Sequence, residues 1–544
     1  MSTSVPVQEE PRGVSARAPT RAPVAGWVAV GAPAALAAIL SLLQITGRSL
    51  GFDEGATVAI ASQHGSALWS AIAHDGGNMS GYYLLLHALI GLFGNGLLVL
   101  RLPSAIAAVA TVALVGVIGR RLFDPLVAAV AGTLAAVSLP LVYWAQTARG
   151  YAPMVAFVCL GVVAFVAVSD PPAGEAPGRR PWIVYVVAMT LAMYCSFVAV
   201  LVVPAQLIVL ARRRAALRRV GAALLAVALC CLPILVLAVR RGSGQLFWVT
   251  RPTRMVETQV LQSLTSGGLQ PSFRHTATTH FAMWAIVAAV LAVLVDVVRR
   301  QRRGEPVWRL AMILSWAVVP ASLTFLYSLV SQPIFVPRNL IMSTPAVALA
   351  LAPVISDRRV GRVGRVVAAA LLMAILVMRA IPVGHAYGVS PEPWQSVTRQ
   401  VLAQSRPGDC IAFYPQDGRM AFQYYVGTGA AAERRAPRSI LPVLAWGAVK
   451  PYVEQYATLS PAEIGVRAAG CRRMWFVSSH EGQADGPPVA RAHRAQWLGL
   501  RAALERRFGS APVGSDGYAS TIHVQLLGGR GAGGGRAGSD FASR

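Results

Sequence analysis

Two adjacent acids, Asp53 and Glu54, open the stretch GFDEGATVAIA just beyond the first long apolar run. A carboxylate flanked by Phe52 and small apolar residues is a candidate general base, because burial lifts its pKa toward the range in which a base works. Both acids are therefore candidate catalytic residues, set against the plainer reading of a solvated acid pair. The next stretch, AHDGGNMSGYYLLLHALIGLFG, gathers His74, Asp75 and Asn78 on a Gly-rich segment, followed by Tyr82, Tyr83 and His87. Such groups can bind a substrate by its hydroxyls or hold a divalent cation; the alternative is a polar turn leading into an interfacial helix. Two arginines stand apart from the others, Arg149 in WAQTARGY and Arg338 in FVPRNL. A guanidinium offers a planar fork of donors suited to phosphate oxygens. The competing reading is an arginine snorkelling to lipid headgroups.

These residues need elements to hold them. Only 13% of the 544 residues are charged and 55% are hydrophobic, a balance that long apolar runs turn into a polytopic membrane protein. About eleven transmembrane helices are expected, near 25–46, 97–118, 126–144, 151–169, 181–195, 197–211, 220–239, 277–298, 309–330, 339–356 and 366–383. The fifth and sixth are short enough to form a hairpin around Tyr194 and Ser196. Arginine runs at Arg120–Arg121, Arg179–Arg180, Arg212–Arg219, Arg299–Arg303 and Arg358–Arg365 fall in alternate loops, and excess basic charge marks cytoplasmic loops. Residues 1–24, with Arg12, Arg17 and Arg21, then form a disordered cytoplasmic N-terminus, and the first helix is retained rather than cleaved. Asp53, Arg149 and Arg338 all come to lie at the outer ends of spans. A lipid phosphate carrying a sugar would sit at that depth.

The formal charge of +26 would suggest nucleic acid in a soluble protein, but here the charge is spent on topology, and no nucleic-acid partner is expected. The sole lysine, Lys450, excludes a P-loop or Schiff-base lysine, and no nucleotide cofactor is expected. Residues 385–527 lose the membrane pattern. Ser390 is placed to cap a helix beginning at Pro391. Apolar runs CIAFYP, MWFVS and TIHVQLL begin at Cys410, Met474 and Thr521, with helical patterns at 418–426 and 488–508 between them. Strands alternating with helices predict a small α/β domain, here extracytoplasmic. Residues 528–544 form a Gly-rich tail expected to be disordered. Cys159, Cys195, Cys230 and Cys231 fall in spans as packing residues. Cys410 and Cys471 share an oxidising compartment, either as a disulfide or as two free thiols.

FDE after the first helix, the block YYLLLHALIGLFGNGLLVLRLPSAIAAVATVALVGVIGRRLF, SLPLVYWAQTARGYA and FVPRNLIMSTPA, in that order, resemble the GT-C superfamily of polyprenyl-phosphate-sugar-dependent glycosyltransferases. The likeness runs over residues 25–385, toward the protein O-mannosyltransferase and aminoarabinose transferase branch. It implies a GT-C-like catalytic domain over residues 25–384, Asp53 as catalytic base with Glu54 beside it, and Arg149, Tyr151 and Arg338 near the donor phosphate. The chain departs from the family in two places. It reads HDGGNMSGYY where many members read H-P-P-L-Y-Y, which bears on acceptor recognition. It has Thr147 where relatives carry an acid, with Asp75 as the substitute the sequence offers.

The expected function is inverting transfer of a sugar, mannose or arabinose by analogy, from a polyprenyl-phosphate donor to an envelope glycan, lipid or protein on the outer face of the plasma membrane. A transporter or lipid flippase is the alternative, and an envelope scaffold a third. A transporter would place ionisable groups at mid-bilayer and show internal repeats, neither of which stands out here.

Overall fold

The computed structural model describes residues 22–169, 178–210, 214–242, 249–265, 277–427, 436–446, 448, 451, 456–484, 488–509, 512–518 and 522–528. The segments expected to be disordered, residues 1–24 and 528–544, lie outside these apart from residues 22–24 and Gly528.

The first helix, α1 (Ala22–Leu42), is followed by α2 (Phe52–Ala61), α3 (Gly65–His74), α4 (Ser80–Phe93) and α5 (Leu97–Leu122). Then come α6 (Pro125–Ala136), α7 (Leu139–Ala145), α8 (Tyr151–Ser169), α9 (Arg179–Cys195), α10 (Val202–Leu210), α11 (Arg214–Cys230) and α12 (Leu232–Arg241). The bundle ends with α13 (Arg254–Thr265), α14 (Ala277–Arg302), α15 (Trp308–Val330), a 3-10 turn over Pro337–Ser343, α16 (Thr344–Leu351) and α17 (Gly361–Ala386). Helix α5 is central, packing on α1, α6 and α8, while α8 lies along α9.

Among the described residues six helical stretches are long and apolar enough to cross a membrane, and two bent pairs bring the number to eight if each is one span. Eleven were expected. The difference lies where the chain breaks or shortens its apolar runs. The run at 126–144 bends by 62° between α6 and α7, and that at 220–239 by 60° between α11 and α12. Pro140 and Pro233 stand in the first turns after these breaks, where a missing N–H is tolerated and the preceding helix cannot continue. Gly26–Leu42 and Phe197–Leu210 are shorter apolar helices, and the run at 181–195 is a 17-residue helix. The outward faces are apolar: Val363, Val367, Leu371 and Val377 on α17 and Phe281, Trp284 and Leu291 on α14 are exposed. Faces of this kind belong in lipid, and the chain is an integral membrane protein.

Beyond α17 the chain forms α18 (Trp394–Gln404), β1 (Asp409–Tyr414), α19 (Gly418–Val426), β2 (Arg438–Leu441), α20 (Pro461–Arg467), β3 (Arg473–Ser479), α21 (Pro488–Phe508), β4 (Pro512–Tyr518) and β5 (Ile522–Leu527). The sheet order is β2-β1-β3-β5-β4. β1 pairs in parallel with β2 and β3, and β5 runs antiparallel to both β3 and β4. Strands β2 and β4 were not foreseen: RSIL is short, and PVGSDGY is rich in glycine and polar residues. Cys410 and Cys471 form a disulfide. Asp409 anchors the same end of the sheet, accepting from Arg473 Nε at 2.9 Å and Nη2 at 2.6 Å.

The helix expected to start at Pro391 starts at Trp394. Glu392 precedes Pro393, and a residue before proline is pushed out of the helical region. Ser390 therefore caps nothing there. Its hydroxyl accepts the Ser49 N–H at 3.0 Å, joining the connector to the loop between α1 and α2.

Candidate active site

Helix α2 starts because Gly51 is extended and its N–H is taken by Glu54 Oε2 at 3.2 Å, three residues on. That leaves Glu54 and Asp53 on different faces, with different fates. Glu54 Oε1 accepts Arg101 Nε at 2.9 Å and the Ala148 N–H at 2.7 Å. Glu54 Oε2 accepts Arg101 Nη2 at 2.9 Å. Arg101 also donates from Nη1 to the carbonyls of Ile45 (2.8 Å) and Arg48 (3.0 Å). Burial by itself would raise Glu54; the Arg101 guanidinium and the two N–H donors outweigh it and hold the carboxyl below its usual range. Glu54 was expected to act beside Asp53. In the structure it is a buried staple joining α2, α5 and the loop after α7.

Asp53 faces outward with 38% of its side chain exposed. Its Oδ2 accepts Arg338 Nη1 at 2.9 Å and lies 3.9 Å from Arg149 Nη2. Arg149 Nη1 also donates to the Asp53 carbonyl at 3.3 Å and to Thr57 Oγ1 at 3.1 Å. The three residues singled out at separate span ends thus meet in one cluster, two guanidiniums around one carboxylate. The sequence reading had burial raising the Asp53 pKa. Burial does act in that direction, but Arg149 and then Arg338 overcome it, and the carboxyl lies below its ordinary range.

The loop carrying Arg149 is fixed from several sides. Gln146 Nε2 donates to the Leu43 carbonyl at 2.6 Å at the end of α1. Ser104 Oγ donates to the Arg149 carbonyl at 3.2 Å and pairs with Tyr82 Oη at 2.9 Å. Gly150 packs so closely on the end of α9 that a Cβ there would stand 2.3 Å from the Cys195 carbonyl oxygen. Tyr151, expected near the donor phosphate, begins α8 two residues after Arg149, its ring 4.4 Å from that of Trp144. Arg338 is delivered by the 3-10 turn that follows Pro337.

The residues proposed for substrate hydroxyls or a cation take up structural work. Asp75 is buried at the end of α3 and accepts Tyr83 Oη at 2.8 Å. Asn78 Oδ1 accepts the Phe197 N–H at 3.4 Å, and Tyr82 is buried beneath the Arg149 loop. His74 is half-buried in the last turn of α3. Among the described residues no three or more His, Cys, Asp or Glu converge as a metal site.

Sequence reasoning missed a second set of neighbours. Glu392, in the connector after α17, accepts the Phe52 N–H through Oε2. Its Oε1 lies 3.9 Å from Nε2 of His480, which follows β3 and packs its ring 4.9 Å from that of Phe52. Burial pushes the Glu392 carboxyl up, and the opposing pull of His480 and the Phe52 N–H does not cancel it. A glutamate between two prolines and a lone histidine more than 400 positions away carry no local signal. Arg101 had one: an arginine inside an apolar helix needs a buried partner. A separate cavity of about 570 Å³ in the α/β domain is lined by Gln416, Asp417, Arg419, Gln423 and Glu463 among others, none of them part of the Asp53 cluster.

Residues 80–238 match the family model of dolichyl-phosphate-mannose-protein mannosyltransferases. The fold is similar to that of the Archaeoglobus fulgidus oligosaccharyltransferase tethered to an acceptor peptide, at 14% identity and a TM-score of 0.53, covering 88% of this chain and 72% of that one. The same archaeal enzyme, AglB, in complex with an inhibitory peptide and a dolichol-phosphate, matches with the same identity, TM-score and coverage. Apo ArnT from Cupriavidus metallidurans matches at 13% identity and a TM-score of 0.52, covering 92% of this chain and 98% of that one. No curated relative matches the sequence. The family model and these folds bear out the resemblance to the GT-C superfamily.

Proposed function

We propose that this protein is a glycosyltransferase that moves a sugar from a polyprenyl-phosphate donor to an acceptor hydroxyl, with inversion, on the outer face of the plasma membrane. The observation that carries the reading is Asp53 held between Arg149 and Arg338. Two guanidiniums converging at one carboxylate present paired forks of donors suited to phosphate oxygens. The likeness to AglB and ArnT supports a glycosyltransferase as the class, and AglB's dolichol-phosphate supports a lipid-linked donor.

In this mechanism the donor phosphodiester takes guanidinium donors that now serve Asp53. The freed carboxylate receives the proton of the acceptor hydroxyl. The acceptor oxygen bonds to the anomeric carbon as the bond from that carbon to the phosphate oxygen breaks, and its electron pair leaves on polyprenyl phosphate. The leaving group is a weak base, so it needs charge stabilisation rather than a strong general acid. The donor arrives through the membrane, so no nucleotide site is required.

Mannose and arabinose are the sugars to test first. Purified full-length protein would be given synthetic undecaprenyl-phosphate mannose or arabinose with a cell-envelope fraction as acceptor. Release of undecaprenyl phosphate coupled to labelling of the acceptor is the expected result. No release from either donor would reject the assignment of these sugars, and a failure of the protein to bind undecaprenyl phosphate would reject the donor class.

A further inference from the structure

Part of the backbone around Asp53 is held by residues from beyond the last span. Leu50 donates its N–H to Tyr425 Oη at 2.6 Å, and Tyr425 belongs to α19 of the outer domain. Phe52 donates its N–H to Glu392. Ser49 Oγ accepts the Gln395 N–H at 3.0 Å. Two of these N–H groups lie within three residues of Asp53, at the start of α2, where a helix has no internal partners to offer.

Packing joins the same elements. A Cβ on Gly55 would stand 2.8 Å from the Ala421 backbone nitrogen, so α2 and α19 touch backbone to backbone at a place only glycine allows. His480 adopts a left-handed backbone with φ of 51°, unusual for a residue with a side chain. That conformation sets its imidazole against Phe52 and beside Glu392. Local strain of this kind persists where the surroundings over-determine it.

We propose that the outer domain is a positioning element of the active centre, with Glu392 and Tyr425 as the residues that fix the first turn of α2 and so the aim of Asp53. This rests on the assignment of Asp53 as base. Arg149 and Arg338 approach Asp53 from the membrane domain and set its charge. Glu392 and Tyr425 come from beyond the last span, bond to the Phe52 and Leu50 N–H groups and set its place. They act through the backbone and touch no reacting atom, so their loss should lower turnover and leave donor binding intact.

The test uses the full-length protein, undecaprenyl-phosphate mannose as probe, and hydrogen–deuterium exchange followed by mass spectrometry. Glu392→Ala is expected to lower kcat about 10- to 100-fold, the effect of a misplaced base, with the donor KM unchanged. Glu392→Gln keeps an oxygen for the Phe52 N–H and should recover to within about threefold of the parent. Exchange in the peptide spanning residues 49–57 should quicken about fivefold in Glu392→Ala, while α8 stays as protected as before. Should Glu392→Ala fail to fold, Tyr425→Phe carries the same expectations, since it removes the hydroxyl that accepts the Leu50 N–H and lies 3.5 Å from Ser49 Oγ. Parental kcat together with unaltered exchange in 49–57 would overturn the proposal, and so would a rise in donor KM with kcat preserved. A parent that turns over no donor would instead count against the reaction assigned above, and the exchange measurement would still decide whether the outer domain holds α2.

Discussion

Arg338 Nη1 lies 2.9 Å from Asp53 Oδ2, so the residue read as base and one of those read as phosphate ligands are paired with each other. A base held this way is ionised but occupied. In the proposed mechanism its activation and donor binding would be one event, because a phosphate that recruits Arg338 and Arg149 would offset the charges that depress Asp53.

Asp53→Asn keeps the size of the side chain and one oxygen for Arg338 while removing the ability to take a proton. The variant should fold, bind undecaprenyl phosphate and lose about 10²- to 10⁴-fold in transfer rate. The depressed pKa also fixes the pH behaviour of the parent. Asp53 is deprotonated at every pH above the ordinary carboxylate range, roughly 4. The acid limb of kcat/KM, which reports the free enzyme, therefore belongs below that value, and this group gives no acid limb between about pH 5 and 8. Near-normal turnover in Asp53→Asn would move the base elsewhere.

Arg149→Lys and Arg338→Lys keep the charge but lose the fork. Arg149 spans Asp53 and Thr57 with its two terminal nitrogens, a reach that a single ammonium cannot copy. Each variant should bind undecaprenyl phosphate about tenfold or more weakly. Titration in detergent with unchanged affinity for both would make these arginines lipid anchors.

The arginine pattern gives an orientation that can be checked without substrate. Alkaline phosphatase fused after Gly528 should be active, because that enzyme matures outside the cytoplasm, and a fusion after Arg214 should be inactive. The reverse pattern would turn the Asp53 cluster toward the cytoplasm and remove the outer-face reaction.

Much of this was legible in the chain because membrane segments state themselves in long apolar runs. Helix α8 begins and ends where its run does, at Tyr151 and Ser169. The meeting of Asp53, Arg149 and Arg338 was legible because all three oppose their surroundings, charged groups at span ends on the arginine-poor side. What stayed hidden was the split between Asp53 and Glu54, since neighbours on a helix point to different faces and only the packed structure says which face holds Arg101. The sign of the Asp53 shift was hidden for a related reason: burial was inferable from local residues, whereas the two opposing charges arrive from 96 and 285 positions away. Glu392 and Tyr425 bond to backbone N–H groups, which leave no trace in a pattern of side chains.

Glu54 yields the last prediction. Its carboxylate and Arg101 are both almost fully buried, at 6% and 1% side-chain exposure, and Glu54 accepts four N–H bonds in all. A glutamine there must turn its NH2 toward Arg101 together with either the Ala148 or the Gly51 N–H, placing donor against donor. Leaving one partner of a buried pair uncompensated costs about 3–5 kcal/mol. Glu54→Gln should therefore melt well below the parent when followed by tryptophan fluorescence in detergent. Its residual transfer should track the folded fraction, beyond a drop caused by the loosened α2. Donor affinity in the folded fraction should hold, because Arg149 and Arg338 do not touch Glu54. A Glu54→Gln protein with parental melting and abolished transfer would show instead that this carboxylate takes part in the chemistry, and the staple role argued from its four bonds would have to be given up.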